Sequence, residues 1–589
     1  PTGRAKAAEA IKEVLGMSVK EYRDKREELW QRLGFINFGE GEIYFRLREG
    51  LLRLAAMVWL SFREYRRRRG LISFDDMIRL AGEASALARD RGRGRVFSEI
   101  MVDEFQDTNP LQNDLIMALA GQESRIFLVG DLKQSIYGFR HADPTLFGAL
   151  IGKNDSGARY VPLQANFRSH PRLLDFINKT FSRAWSSGLS YSLPHPYEDL
   201  EFCGSEEAAK EWDRSPVNFL ETVFRARGEE DGKKETMGQT RLRVARGLAA
   251  KFRSFLGLDI WDKNLDGGRL RPAGWRDMVI LVPSRTAFPS IERVFRSEAG
   301  IPVTFEKSRE YFSRGEIGDF TAALRAMAFP GDRAALMGYL CSPFSGLSLK
   351  DALALMPDGA ALAFRHPKEA ARLEELRTLA AREGPFAALC LMLKDQSFLK
   401  FYPEWNRRSV LANLRQALDM VREYEEVFGP DCAGCARYMA SAASVKGAVT
   451  AASPLGEDED VVRVMTVHSA KGLEFPITAV MELDAKSGGL GGQGVSLKPS
   501  PLLGVGASSY PADWLEEGQS GESDTGKLVT FLEKAERGEE WERLFYVACT
   551  RAMNCLVLCS ACETDGEGEL KIKPGSWLSM LDQGLIARG

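Results

Sequence analysis

Two strings near the start of this chain have the residue types and spacing to do chemistry. Residues 101–108 read MVDEFQDT, and further on the chain reads GDLKQSIYGFR. Each string follows a short apolar run of strand character, Ile100–Val102 and Ile126–Val129. Two carboxylates at the end of a buried strand are costly unless a cation joins them. Asp103 therefore reads as the residue that holds Mg2+, directly or through water, beneath a bound triphosphate. Glu104 reads as the base that orients an attacking water. A solvated acidic turn is the alternative, and the second string weighs against it. There Gln134 is a neutral, two-ended hydrogen-bonding group at a strand end, suited to touch a γ-phosphate and register its loss. Tyr137 and Phe139, two residues apart, suit the stacking of single-stranded bases beside that sensor. For either ring alone, core packing is the alternative.

Three later strings complete such a site. LQANFRSHP (Leu163–Pro171) sets Arg168 just before a helix, where a guanidinium stabilises transferring phosphoryl charge. VHSAKGLEFP (Val467–Pro476) gathers a His, a Lys and a Glu around a Gly turn. His468 and Lys471 suit a nucleic-acid backbone, and Glu474 suits a ribose hydroxyl. RLFYVACTRAM (Arg543–Met553) offers Arg551 as a second arginine for the phosphates. Each string alone is weak, but in this order each supplies a different part of one phosphoryl-transfer site.

The elements that must position these residues follow from periodicity. Residues 1–95 read as helices rich in Arg, Glu, Leu and Ala, with the run Arg66–Arg69 at a helix end as either a solvated face or a phosphate contact. Residues 96–170 alternate short apolar strands with helices, and Pro171 marks a first helical turn. Residues 187–240 are mixed and polar. DMVILVPS (Asp277–Ser284) reads as a buried strand that opens a second α/β unit. Residues 315–445 are helical in pattern. VVRVMTV, ITAVMEL and NCLVLCSA return to strand, and the Gly/Ser/Pro-rich residues 486–526 read as a long loop. The second α/β unit is therefore split by a helical insertion.

Bulk properties narrow the classes. The chain has 589 residues, enough for about four domains. Lys+Arg of 79 against Asp+Glu of 82 gives a net charge of −3, so nucleic-acid binding must come from a local groove. The apolar runs are too short to span a bilayer, and no secretory signal opens the sequence. Nine scattered cysteines point to a reducing, cytoplasmic setting. Two CxxC pairs, Cys432/Cys435 and Cys559/Cys562, bind zinc or an iron–sulfur cluster only if the fold unites them; the alternative is packing as small apolar residues.

With these residues in view, the five strings resemble motifs II to VI of the UvrD/Rep-like superfamily 1 DNA helicases. KQSIYGFRHADPTLF, with Lys133 where Rep-like enzymes usually have an acid, looks more like the helicase subunits of the RecBCD and AddAB recombination nucleases, AddA above all. So do HSAKGLEFP ending in Pro476, CSPFSGLS, FSRGEIGDF and RRRRGLISFDDMIRLA (Arg66–Ala81). The resemblance implies an α/β fold of two RecA-like P-loop NTPase lobes with helical insertions. It implies a helical region over 1–95, lobe 1A over 96–175, the start of lobe 2A over 176–330, a helical insertion over 331–455, and the end of lobe 2A over 456–589. It implies ATP and Mg2+ as cofactors, with Asp103 on Mg2+, Glu104 on water, Gln134 as γ-phosphate coupler, Arg168 and Arg551 on transition-state charge, and Glu474 on ribose. Tyr137, Phe139 and His468 fall at the DNA face. The implied activity is 3′→5′ translocation on single-stranded DNA in double-strand-break repair and recombination, acting at duplex ends with an AddB/RecC-like subunit.

The departures are equally specific. No GxxxxGK[ST] string occurs in the 589 residues; GKNDSGAR and SAKGLEF lack its spacing. The adenine-contacting Gln motif, motif Ia and a nuclease segment are not found either, and a truncated gene product, inactive alone, is the expectation these departures raise. Two other readings remain open: an ATP-independent DNA-binding or scaffold subunit with a lost motor site, and a plain Rep-like helicase.

Overall fold

Short apolar runs bury best as parallel strands covered on both faces, and the order of runs in this sequence alternates such strands with amphipathic helices. The computed structural model describes residues 42–91, 97–151, 159–186, 197–226, 229–230, 233–265, 268–305, 311–355, 365–394, 396–402, 407–444, 460–487, 496–500, 504–508, 524–564 and 570–581. The chain divides into two units. The first takes Pro1–Ala273, Ile280–Ser290 and Thr466–Gly589; the second takes Gly274–Val279 and Ile291–Met465.

The first unit opens with helices α1 (Glu42–Arg69) and α2 (Phe74–Asp90). Of the four arginines closing α1, Arg66 turns inward onto Asp76, while Arg67 and Arg68 stay exposed beside Glu64. Hydrogen bonds from Ser73 and the Arg66 guanidinium hold the Asp76 carboxyl down to about 2. Strands β1 (Phe97–Val102) and β2 (Ala120–Leu128) pair in parallel, with Ile100 opposite Ile126. Helix α3 (Pro171–Ala184) starts at the expected proline, with His170 capping it through Nδ1, which accepts the Arg172 N–H at 3.2 Å. The stretch read as mixed and polar contains a strand, β3 (Leu220–Ala226), followed by helix α4 (Met237–Phe255). A hairpin of Asp259–Asp262 and Arg269–Pro272 comes next. Strand β4 (Met278–Val282) is buried at every position, as its sequence promised.

The second unit holds strand β5 (Val303–Phe305), then helices that include α5 (Gly315–Ala328), α6 (Arg407–Phe428) and α7 (Cys432–Ser444), and strand β6 (Val462–Thr466), which pairs in parallel with β5. Its core joins Ile317, Phe320 and Leu324 of α5 to Leu414 and Val421 of α6 and Met439 of α7. Polar links are buried there too: Asn413 Nδ2 donates to Glu316 Oε1 at 2.7 Å, and Tyr311 Oη donates to the Asn413 carbonyl at 2.8 Å.

The chain then returns to the first unit with strand β7 (Phe475–Val480), helix α8 (Asp524–Cys549) and strand β8 (Ala552–Thr564). Strand β8 runs parallel to both β7 and β3. The Gly-rich stretch expected as a loop carries two short antiparallel strands, Ser496–Ser500 and Gly504–Ser508. An aromatic core locks α3 to α8: Phe181 meets Tyr546 edge-on at 5.1 Å and Phe545 at 5.7 Å, and Phe545 also stacks on Trp577, beyond β8, at 5.2 Å. Buried Asn554 on β8 accepts from the Trp212 indole (2.6 Å) and the Trp261 N–H (2.9 Å), and donates to the Trp261 carbonyl (2.9 Å). Among the described residues, no helix is long and apolar enough to cross a membrane.

Candidate active site

The site begins where β1 and β2 end. The Val129 N–H bonds the Val102 carbonyl (2.8 Å) and the Phe105 N–H bonds the Val129 carbonyl (2.9 Å), so Asp103 and Glu104 are lifted out at the carboxyl end of a parallel pair. That end is where open α/β sheets take ligands. Glu104 has φ +53°, left-handed backbone that costs a non-glycine residue about 1 kcal/mol. Local bonds hold it there: its N–H donates to Asp103 Oδ1 at 2.8 Å, and the Gln106 amide donates to Glu104 Oε2. Both carboxylates are exposed. Among the described residues, no group of three or more His, Cys, Asp or Glu side chains is set to cage a metal. Magnesium needs no such cage, since it keeps waters and takes one or two carboxylates plus phosphate oxygens. Asp103 fits that pattern.

Gln106 welds the first string to the second. It is fully buried, its Oε1 accepts the Asp131 N–H at 3.0 Å, and its carbonyl accepts Ser135 Oγ–H at 3.1 Å. Gly130 allows this approach, since a Cβ there would lie 2.6 Å from Gln106 Oε1 and 3.3 Å from its backbone nitrogen. Asp131 in turn orients Gln134, whose Nε2 donates to Asp131 Oδ2 at 2.9 Å, turning Oε1 toward Arg551 Nη2 at 3.4 Å.

The later strings close on this core. Lys471, only 6% exposed in its side chain, pairs with Asp107, lies 3.4 Å from Glu104 Oε2, and donates to the Gln134 carbonyl at 2.9 Å. The structure thus places the ammonium of this residue, expected at a nucleic-acid backbone, among carboxylates. Burial pushes the Asp107 carboxyl up, and Lys471 opposes that only in part. Arg168 Nε donates to Glu474 Oε2 at 2.7 Å, and Lys263 Nζ lies 2.6 Å from the other Glu474 oxygen. Burial alone would raise Glu474, but Lys263 and Arg168 outweigh it and hold the carboxyl below its usual range. Arg551 is 1% exposed, and its guanidinium is engaged by the carbonyls of Val547 (3.0 Å) and Leu473 (3.1 Å) besides Gln134. Burial, then the nearby Arg168 charge, pull its pKa down to about 10.

An aromatic surface adjoins this network. Tyr137 Oη donates to the His468 carbonyl at 3.3 Å, and the Phe139 ring meets Tyr137 at 5.7 Å and His468 at 5.4 Å, both edge-on. Arg140 lies over both phenyl faces, 5.1 Å and 5.7 Å from the ring centres. Phe139 is 61% exposed, so it is not core.

All ten residues singled out from the sequence thus lie in the first unit, joined by a chain of contacts from Glu104 through Lys471, Gln134 and Arg551, and from Arg168 to Glu474. Reading the strings missed Gln106, Asp107 and Asp131, which lie inside them but look like spacers. It also missed Lys263, a charged hairpin residue that carries no sequence signal. The Cys432 and Cys435 thiols are pushed up to about 11 and about 12, by burial first and then by neighbouring acidic groups, Glu425 and Asp431 among them. Protonated thiols suit packing better than metal binding. Cys559 is buried on β8, and the Cys562 side chain lies outside the described residues.

Comparison with known proteins agrees with the order of these strings. The UvrD/REP helicase N-terminal domain matches residues 21–153, and the UvrD-like helicase C-terminal domain matches residues 407–563. A protein of Geobacillus kaustophilus, named as the A subunit of an ATP-dependent helicase/nuclease, is 31% identical over 414 residues, which is 65% of this chain and 33% of that protein. Its namesake in Listeria innocua is 27% identical over 470 residues (72% of this chain, 37% of that protein), and the one in Leuconostoc mesenteroides is 26% identical over 593 (95% and 45%). The chain therefore spans about a third of the length of the first of these relatives. With its mixed helices and parallel strands, the chain carries the N- and C-terminal domains of a UvrD-like helicase of RecA-like fold, and its homologues are A subunits of ATP-dependent helicase/nucleases.

Proposed function

We propose that this chain is the motor body of an ATP-driven DNA helicase of the AddA/UvrD type, moving 3′→5′ on single-stranded DNA in double-strand-break repair. The observation that carries the reading is the contact chain through Gln134. Its amide faces Asp131 and Arg551, its carbonyl takes Lys471, and a few residues later the same segment presents an exposed aromatic surface. A group so placed feels both a phosphate and a base stack. In this reading Asp103 would hold Mg2+, which would supply positive charge against the triphosphate. Glu104 orients water once Lys471 releases it, Arg168 leaves Glu474 for the phosphoryl group, and Glu474 takes the ribose. Arg551 reaches the phosphates only after its carbonyl contacts open, which is the work of a conformational step. The lobes run over 96–175 and, in two pieces, over 270–330 and 455–565. An AddB/RecC-like subunit is the expected partner, since the relatives are named as subunits.

The test is ATP hydrolysis with and without single-stranded DNA. The 589 residues contain no GxxxxGK[ST] cradle, and backbone amides with that Lys supply most of the β/γ-phosphate grip. This polypeptide alone is expected to turn over negligibly. Joined to an upstream segment bearing that string, it is expected to show DNA-stimulated turnover, which Glu104→Gln abolishes while nucleotide still binds. Robust hydrolysis by the 589 residues alone, or an extended form indifferent to Glu104→Gln, overturns the assigned site.

A further inference from the structure

The segment that displays Tyr137 and Phe139 has little structure of its own. It contains one three-residue 3-10 turn, Gly138–Arg140, closed by His141 in the left-handed region at φ +62°. Two residues of α8 hold it. Arg543 Nε donates to the Ser135 carbonyl at 2.8 Å, and the Gly138 N–H donates to Glu540 Oε1 at 3.0 Å. Glu540 and Arg543 are three apart, hence on one face of the helix. Gly138 is what lets the carboxylate lie against bare backbone between the two rings: a Cβ there would come within 2.9 Å of Glu540 Oε2. Arg543 is buried, and its Nη1 has no hydrogen-bond partner. A guanidinium set so deep on one loop carbonyl is costly, and helix stability does not require it. About two turns beyond Arg543, just past the end of the same helix, Arg551 stands 3.4 Å from Gln134.

We propose that Glu540, with Arg543, is a positioning residue for the single-stranded nucleic-acid stack. It fixes the turn that sets the Tyr137 and Phe139 rings, and α8 thereby joins the nucleotide end of the site at Arg551 to the base-stacking end at Phe139. The inference rests on the proposed function in taking those two rings as base contacts. Glu540 itself touches no base. Its carboxylate acts through the Gly138 amide, so an acceptor of the same shape without charge does the same work.

Binding of fluorescent oligothymidine to the 589-residue chain tests this, alongside hydrogen exchange of the Ser135–His141 amides without DNA. Glu540→Ala is expected to weaken binding about tenfold, the loss of roughly one stacked base. Glu540→Gln, which keeps the acceptor, is expected to stay within about twofold. In a background with both Tyr137→Ala and Phe139→Ala, Glu540→Ala is expected to cost no more than about twofold further, because the rings it positions are gone. Gly138 exchange is expected to speed up in Glu540→Ala and not in Glu540→Gln. Gly138→Ala, whose methyl displaces the carboxylate while keeping the helix sequence intact, is expected to reproduce the binding loss, and it serves if Glu540→Ala does not fold. Unchanged binding and exchange in Glu540→Ala, or a full tenfold loss with both rings already removed, overturns the proposal. A wild-type chain that does not bind the oligonucleotide overturns the functional reading, while the exchange experiment still decides whether Glu540 holds the turn.

Discussion

At the scale of single residues, a lysine near several anions settles on the ones its backbone lets it reach, and for Lys471 these are Asp107 and Glu104. Its type and its Gly turn were legible in the sequence. Its partners were not, because Asp107 lies more than 350 residues away in the chain. For the same reason Arg168, Arg551 and Glu474 could be named as a set but not paired, and Lys263 could not be named at all. The Lys471 pairing has a measurable consequence. Asp107 is held above its ordinary value by burial, which Lys471 partly offsets. A carboxyl raised in the folded state favours its protonated form there. Its contribution to stability is full below the unfolded value and is lost as pH rises through the folded one. Removing the offsetting cation deepens that loss. Lys471→Met is expected to cost about 1–3 kcal/mol at neutral pH, with the deficit shrinking as the pH falls toward about 4. Urea unfolding of both proteins across that range checks it, and a deficit independent of pH would mean that Asp107 is not the group left behind.

At the scale of elements, sequence reading succeeded where a strand is apolar on both faces. Met278–Val282 is buried throughout and Phe475–Val480 nearly so, and such runs advertise themselves. Leu220–Ala226 did not, since LETVFRA mixes polar and apolar residues and becomes a strand only by pairing with β8. The strand β8 carries Asn554, which satisfies three polar groups of Trp212 and Trp261. Asn554→Ala orphans all three and is expected to destabilise the fold by about 2–4 kcal/mol, read by tryptophan fluorescence in denaturant. A loss under about 0.5 kcal/mol would show that water replaces the amide. In the second unit, burial and then Glu316 push Asp319 of α5 up to about 6. Its stabilising contribution is therefore present below about pH 4 and lost as pH rises through about 6. Asp319→Asn is expected to be more stable than wild type by about 1–2 kcal/mol at pH 7, after discounting for partial exposure, and indistinguishable from it near pH 4. Equal melting curves at pH 7 would place the proton elsewhere.

For the molecule as a whole, a net charge of −3 argues against binding of nucleic acid by a general field, so the proposed affinity is expected to be local, at the aromatic surface and Arg140. The affinity for single strands is expected to fall with salt at a logarithmic slope between about −1 and −3, as for a few neutralised phosphates. A slope steeper than about −6 would point to a broad basic track. Fold class and the order of site strings were legible at this scale. The first unit is assembled from three separate stretches of chain. That discontinuity sets a schedule for synthesis. Strand β3 leaves the ribosome more than 300 residues before its partner β8. At about 5–20 residues per second the wait is on the order of 15–60 s, during which β3 shows an unsatisfied edge to every neighbouring nascent chain. A nonsense codon anywhere before β8 thus leaves the first unit without the strand that joins β3 to β7, however many of the candidate site strings have already been translated.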